Sequence, residues 1–298
     1  MDQVIAVIEI DQALVTALVS AQFPQWADLP ITRVENDGWD NRTFRLGSDM
    51  SVRLPSGEDY SAQVAKEHRW LPELAPQLPL EIPVPLAMGV PGHGYPWNWS
   101  IYRWLDGDNA SLERINDLDE FAKSLAHFLV GLQDIDAANG PAAGKHSFYR
   151  GAPVATYDAE TRASIATLGD EIPRDLATEV WETAVASRWK GSPVWVHGDV
   201  AASNLLVRDG RLSAVIDFGC SCVGDPACDV TIAWTLLEGE SRERFRVTLG
   251  ADAETWARGR GWALWKGLIT LVEHFDTSPT QAAIARHVVE EVLADHKA

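Results

Sequence analysis

Residues 194–219 read V-W-V-H-G-D-V-A-A-S-N-L-L-V-R-D-G-R-L-S-A-V-I-D-F-G, and this stretch organises the reading of the whole chain. An apolar run ends at His197-Gly198-Asp199, a short step leads to Asn204, a second apolar run L-L-V follows, and Asp209-Gly210 opens L-S-A-V-I-D. Asp-Gly between two apolar runs is a hairpin signal, and a hairpin returning at Asp217 sets that carboxylate beside Asn204. Asp199, Asn204 and Asp217 then converge as three oxygen-bearing side chains. Carboxylate and amide oxygens, with water and phosphate oxygens, are what Mg²⁺ takes as ligands, and one more carboxylate can accept the proton of an attacking hydroxyl. The competing reading makes these turn and capping residues of an unrelated hairpin, since Asp and Asn favour turns.

The same inventory serves phosphoryl transfer. The kinase pattern H-x-D-x-x-x-x-N with a later D-F-G is matched by His197, Asp199, Asn204 and Asp217-Phe218-Gly219, followed by G-D-P-A-C-D-V at 224–230. In this form the chain resembles the aminoglycoside phosphotransferase and choline kinase superfamily; eukaryotic protein kinases have Arg where Gly198 stands, and no A-P-E follows here. The resemblance runs from about Ile31 to the C-terminal helices. It implies an α+β, bilobal protein-kinase-like fold, with ATP or GTP and Mg²⁺ as cofactors and a small-molecule hydroxyl as acceptor. It also implies that Asp199 orients that hydroxyl, His197 braces the loop, Asn204 and Asp217 hold Mg²⁺, and Asp229 supports the loop by accepting its backbone N–H bonds. Asp225 reads as a turn residue.

The texture of the chain divides it in the same way. Leu14, Leu18 and Ala21 share a face of a helix from Asp11 to Gln22. I-T-R-V-E, R-T-F-R-L and S-V-R-L between Ile31 and Leu54 read as an antiparallel meander, and a helix follows from Ser61 to Leu74. A Pro-rich strip then leads to the strand W-S-I-Y-R-W-L, after which the pattern is mostly helical. We therefore expect a β-rich nucleotide-binding lobe at 1–103 and a catalytic, acceptor-binding lobe at 104–298. Before residue 104 the only Lys is Lys66, in the helical stretch. Arg53 alternates with Val52 and Leu54 and so faces away from them; by resemblance it stands at the phosphate-binding Lys position. Glu67 falls on the apolar stripe of Val64, Leu71 and Leu74, and an inward carboxylate needs a partner, which Arg53 can provide. The loop N-D-G-W-D-N (36–41) lies where a phosphate-covering loop sits but fails G-x-G-x-x-G. The backbone of the strand carrying Ser100 and Tyr102 is expected at the purine, with adenine and guanine not distinguished.

Composition bounds the rest. The 298 residues are 46% hydrophobic and 23% charged, with no apolar run near the ~18 residues of a membrane helix. The N-terminus carries Asp2, Glu9 and Asp11 where an export signal carries Lys or Arg, so the cytoplasm is expected. Cys220, Cys222 and Cys228 cluster in a spacing that fits neither a disulfide framework nor a common zinc pattern. A net charge of −18 disfavours nucleic acid and favours cationic partners, with solubility as the plainer explanation. A cationic aminoglycoside is the leading acceptor; choline, homoserine, macrolides and sugars are alternatives, as is a catalytically silent nucleotide-binding module. The eight acids between Trp104 and Asp136 read mainly as solvated surface, which leaves Glu273 and Asp276 as acceptor-binding candidates. Trp262, Trp265 and Ile269 share a helix face that suits a core better than a substrate platform.

Overall fold

Asp11 caps the first helix, α1 (Gln12–Gln22), by accepting the Leu14 N–H at 2.8 Å, which satisfies one of the donors a helix start leaves unpaired. In the computed structural model, residues 8–34, 38 and 40–297 are described, and the chain divides into two units. The first comprises Met1–Gln77 with Glu81–Asp106, the second Leu78–Leu80 with Gly107–Ala298.

In the first unit, β1 (Ile31–Arg33), β2 (Asn41–Leu46), β3 (Met50–Pro55), β4 (Pro85–Gly89) and β5 (Trp99–Arg103) form an antiparallel sheet in the order β1-β2-β3-β5-β4. The strand at β4 was masked in the sequence by its prolines; as an edge strand opening at Pro85 it tolerates the missing N–H. One sheet face packs Phe44, Val52, Leu54, Trp99 and Ile101 against Val15, Leu18 and Val19 of α1. The buried stripe of α1 is thus rotated from the expected one: Val15, Leu18 and Val19 are buried, Leu14 is half-buried and Ala21 is exposed. Helix α2 (Glu58–Leu74) packs on β3, β4 and β5 and begins a turn before Ser61, with Glu58 and Asp59 favourably placed at its positive end.

In the second unit, β6 (Asp108–Asn109), β8 (Leu205–Arg208) and β9 (Arg211–Val215) form a three-stranded sheet, and β7 (Val194–Val196) pairs with β10 (Cys222–Gly224). Between β8 and β9, Asp209 and Gly210 both have positive φ (53° and 76°), as the expected Asp-Gly turn requires. The helices are α3 (Leu118–Asp134), α4 (Asp158–Leu168), α5 (Arg174–Ala186), α6 (Ile232–Thr235), α7 (Gly239–Leu249), α8 (Ala253–His274) and α9 (Pro279–Lys297). Helix α8 is the spine, touching α4, α5, α9 and residues 226–231. Gly261 lets it come that close, since a Cβ there would lie 2.5 Å from Ala184 Cβ. Trp262 and Trp265 are buried, with Trp265 stacked on Tyr157 at 4.0 Å and its indole N–H donating to Glu160, so the aromatic face is core. Among the described residues no helix is long and apolar enough to cross a membrane.

Candidate active site

The site grows from the end of β7. Gly198 has φ of +85°, and a Cβ there would approach Cys220 O to 2.6 Å, so a side-chain-bearing residue cannot follow His197 in this backbone. His197 is fully buried. Its Nε2–H donates to Ile216 O (3.0 Å) while its Nδ1 accepts the Asp199 N–H (3.2 Å), the pattern of a neutral imidazole. One ring thereby ties the Asp199 loop to the end of β9, and its edge contacts Phe218 (4.7 Å).

Asp229 holds the loop from below: its two carboxylate oxygens accept the N–H groups of His197 (2.8 Å) and Gly198 (2.7 Å). Burial pushes its carboxyl above the usual range, against the pull of these two backbone bonds. The preceding turn is anchored more firmly than the sequence suggests. Asp225 does cap it, accepting the Ala227 N–H (3.0 Å), but it also forms a buried fork with Arg258 of α8, Nε–Oδ2 2.7 Å and Nη2–Oδ1 3.2 Å. No local signal marks Arg258, which lies 33 residues away.

Asn204 donates through Nδ2 to Asp199 O (3.0 Å) and Asp199 Oδ2 (3.1 Å). Both donors turn toward Asp199, which leaves Oδ1 as the atom able to ligate a hard cation. The Asn204 carbonyl accepts the Ile216 N–H (2.8 Å), which brings Asp217 beside it. Asp217 sits in the left-handed region (φ 66°, ψ 72°) and accepts the Gly219 N–H at 3.4 Å; such a backbone is costly outside glycine and is typical of residues held for function. Asp199 is exposed, Asp217 half-buried and Asn204 buried. This donor set fits a Mg²⁺ ion, which uses one or two protein carboxylates and takes its other oxygens from water and phosphate.

In the first unit, Arg53 stands opposite Ser100 in the β3–β5 register, and its guanidinium lies 5.8 Å from the Tyr102 ring centroid. The Tyr102 hydroxyl donates to Glu67, which is buried on the Val64–Leu71 stripe of α2. Burial and the Glu67 charge raise the Tyr102 pKa, so the phenol stays a donor. His68 Nε2 and Ser100 Oγ are 3.0 Å apart. Ser100 and Tyr102 stand on β5, an interior strand paired to β3 and β4 at both residues. Asn36, Asp37 and Trp39 of the N-D-G-W-D-N loop lie outside the described residues.

The structure therefore gathers His197, Asp199, Asn204, Asp217 and Asp229, and separately Arg53, Glu67, Ser100 and Tyr102. Glu273 in the last turn of α8 and Asp276 just beyond that helix are exposed.

The chain matches the phosphotransferase enzyme family (APH) over residues 31–262. It belongs to that family. The GDP and kanamycin complex of APH(2'')-IIIa superposes with a TM-score of 0.74 at 20% identity, covering 94% of this chain and 98% of that one. The streptomycin–ATP–APH(2'')-IIa ternary complex gives 0.60 at 19%, covering 96% and 97%. The apoenzyme of macrolide 2'-phosphotransferase MphH from Brachybacterium faecium gives 0.60 at 24%, covering 93% and 97%. No curated protein matches the chain. The α+β kinase-like fold read from the 194–219 stretch is thus the fold of this phosphotransferase family member.

Proposed function

We propose that this phosphotransferase moves the γ-phosphoryl group of a nucleoside triphosphate to a hydroxyl of a small molecule, with Asp199 as the catalytic carboxylate. The observation that carries the reading is the pair of Asn204 bonds, side chain to Asp199 and carbonyl to Ile216 N–H, which converge Asp199, Asn204 and Asp217. Asp199 accepts the proton of the acceptor hydroxyl as its oxygen bonds to the γ-phosphorus; the bond from that phosphorus to the β–γ bridging oxygen breaks, and a nucleoside diphosphate leaves. Asn204 holds Asp199 in one orientation, the arrangement in which a general base is effective. Asn204 Oδ1 and Asp217 would hold Mg²⁺, which when bound offsets phosphate charge.

His197 and Asp229 act as supports, since their polar atoms are engaged with the loop backbone. Residues 1–103 take the nucleotide-binding role, with Arg53 toward the phosphates and Glu67 and Tyr102 fixing its surroundings; residues 104–298 take the catalytic and acceptor-binding role. Aminoglycosides remain candidate acceptors because kanamycin and streptomycin occupy two of the similar structures.

The test is a coupled nucleoside-diphosphate release assay with ATP and with GTP, with and without Mg²⁺, against amino-sugars, amino-alcohols and macrolides. Acceptor-stimulated, Mg²⁺-dependent release that is abolished in Asp217→Ala is expected. Release unaffected by that substitution would remove Asp217 from the site.

A further inference from the structure

We infer that Arg150 is a specificity-determining residue whose guanidinium docks an anionic group of the acceptor, so that the molecule phosphorylated is a hydroxyl compound bearing a carboxylate or a phosphate, not a polycation. The inference rests on the phosphotransferase reading and adds the charge of the acceptor to it.

Arg150 stands against the catalytic loop. A Cβ built on Gly198 would lie 3.1 Å from Arg150 Cβ, and Asp199 follows one peptide on, about 3.8 Å away between Cα atoms. The guanidinium turns onto the aromatic core, with Cζ 4.6 Å from the Trp265 ring centroid and 5.3 Å from that of Trp262. Ring faces attract a cation but leave its in-plane N–H donors open. Among the described residues this side chain has no ion pair and no hydrogen bond. Its Nε is shut off from solvent, whereas the residue as a whole is half-buried and its Nη groups keep open surface. Other arginines that reach into this unit show what is missing: Arg242, Arg258 and Arg260 each hold a carboxylate. A charge partly withdrawn from water needs such a partner, and the chain has 43 Asp and Glu residues from which to supply one. At Arg150 the place is open to a ligand.

The backbone that presents Arg150 is itself held in a costly form. Phe148 and Tyr149 have φ of 47° and 54°, a left-handed pair without glycine, and such outliers gather at sites kept for function. Bonds from three sides fix it: the Tyr157 hydroxyl donates to Phe148 O (2.8 Å), the Cys222 thiol to Arg150 O (2.9 Å) and the Asp225 N–H to Gly151 O (2.8 Å). Asp225 opens the turn that carries Asp229, whose carboxylate holds His197 and Gly198, so both segments hang on one support. The guanidinium is thereby placed relative to Asp199, and its planar fork matches a carboxylate or a phosphate bidentately. A small molecule held there by its acidic end can present a hydroxyl to Asp199.

The experiment titrates the full chain at constant ionic strength, with saturating ADP and Mg²⁺ present so that the nucleotide site is filled. The probes are glucuronate for a carboxylate, glucose 6-phosphate for a phosphate, glucose as their neutral counterpart and kanamycin as the polycation. Binding is read by calorimetry and by the fluorescence of the tryptophans beneath Arg150, and nucleoside-diphosphate release is measured in parallel with ATP. The variants are Arg150→Met, which keeps an apolar stem on the rings, and Arg150→Lys, which keeps the charge and loses the fork; melting checks that both fold. At least one acid should bind about tenfold or more tightly than glucose, the weight of a charge-assisted pair. Arg150→Met should bring its Kd to that of glucose, Arg150→Lys should retain part of the preference, and the acid's KM should follow. Which acid wins names the anion. Equal Kd for acids and glucose, an acid Kd unmoved in folded Arg150→Met, or kanamycin as the tighter ligand and better substrate overturns the inference and leaves phosphoryl transfer standing. Arg150-dependent binding of an acid without diphosphate release from any acceptor instead retires the transferase reading and keeps the anion subsite.

Discussion

His197 and Asp199 are neighbours but one, yet one has no exposed surface and the other faces water. That difference divides their work. A buried imidazole with both nitrogens bonded inside the loop has no valence left for a substrate, whereas the Asp199 carboxylate is steadied by Asn204 on one oxygen and open on the other side. Asp199→Asn should leave nucleotide binding near wild type and lower kcat by roughly 10²–10⁴-fold, the usual weight of a general base; full turnover in this variant would take Asp199 out of the mechanism. His197→Ala should act differently, loosening the loop from Ile216, so that thermal stability falls together with activity. Unchanged melting would show that the ring does not brace the loop.

Between elements, the decisive contacts are polar groups buried where a helix meets its support. Arg258 of α8 and Asp225 are both nearly inaccessible and mutually saturated. Removing one partner leaves an uncompensated buried charge, so Arg258→Met should cost ~3–5 kcal/mol by denaturant titration, while adding Asp225→Asn should restore part of it. Strict additivity would mean that the pair is not coupled. At the α2–β5 contact, burial holds His68 below its ordinary value of 6.5. The unfolded chain therefore binds the proton more readily, and the neutral ring's contribution is present above pH 6.5 and lost as pH falls through and below it. Wild type should lose stability relative to His68→Gln as pH drops from about 7.5 into that window. A difference that does not change with pH would place His68 outside this linkage.

Across the chain, a net charge of −18 on 298 residues makes like-charge repulsion a general cost of folding. Screening it between about 10 mM and 150 mM salt, where the Debye length shrinks from ~30 to ~8 Å, should raise Tm. A gain of ~1 kcal/mol corresponds to roughly 2–4 °C for a protein of 150–250 residues, and somewhat less here. A Tm that falls with salt would show that attractive pairs such as Arg242–Glu291 outweigh the repulsion. The same acidity encouraged the expectation of a cationic acceptor, but charge summed over a surface does not say which wall faces the substrate. The acids expected to do so, Glu273 and Asp276, are exposed in the last turn of α8 and just beyond it.

What could be read before folding is what depends on neighbours in the chain. The Asp209-Gly210 turn, the Asp11 cap, the alternation that sets Arg53 against Val52 and Leu54, and the spacing of His197, Asp199, Asn204 and Asp217 all follow from local backbone geometry and side-chain periodicity. Glu67 was readable for the same reason, a carboxylate on an apolar stripe. What folding alone decided joins residues far apart: the Arg258 fork on Asp225, the Tyr102 bond to Glu67, the β7–β10 pair, the tautomer of His197, and the seat of Arg150 against Gly198 and over Trp265. Arg, Asp and Tyr occur on surfaces as readily as in such pairs, so nothing in their order announces a partner. Those contacts exist because closing the core leaves buried polar groups no water to bond, and each must then find its partner across the fold.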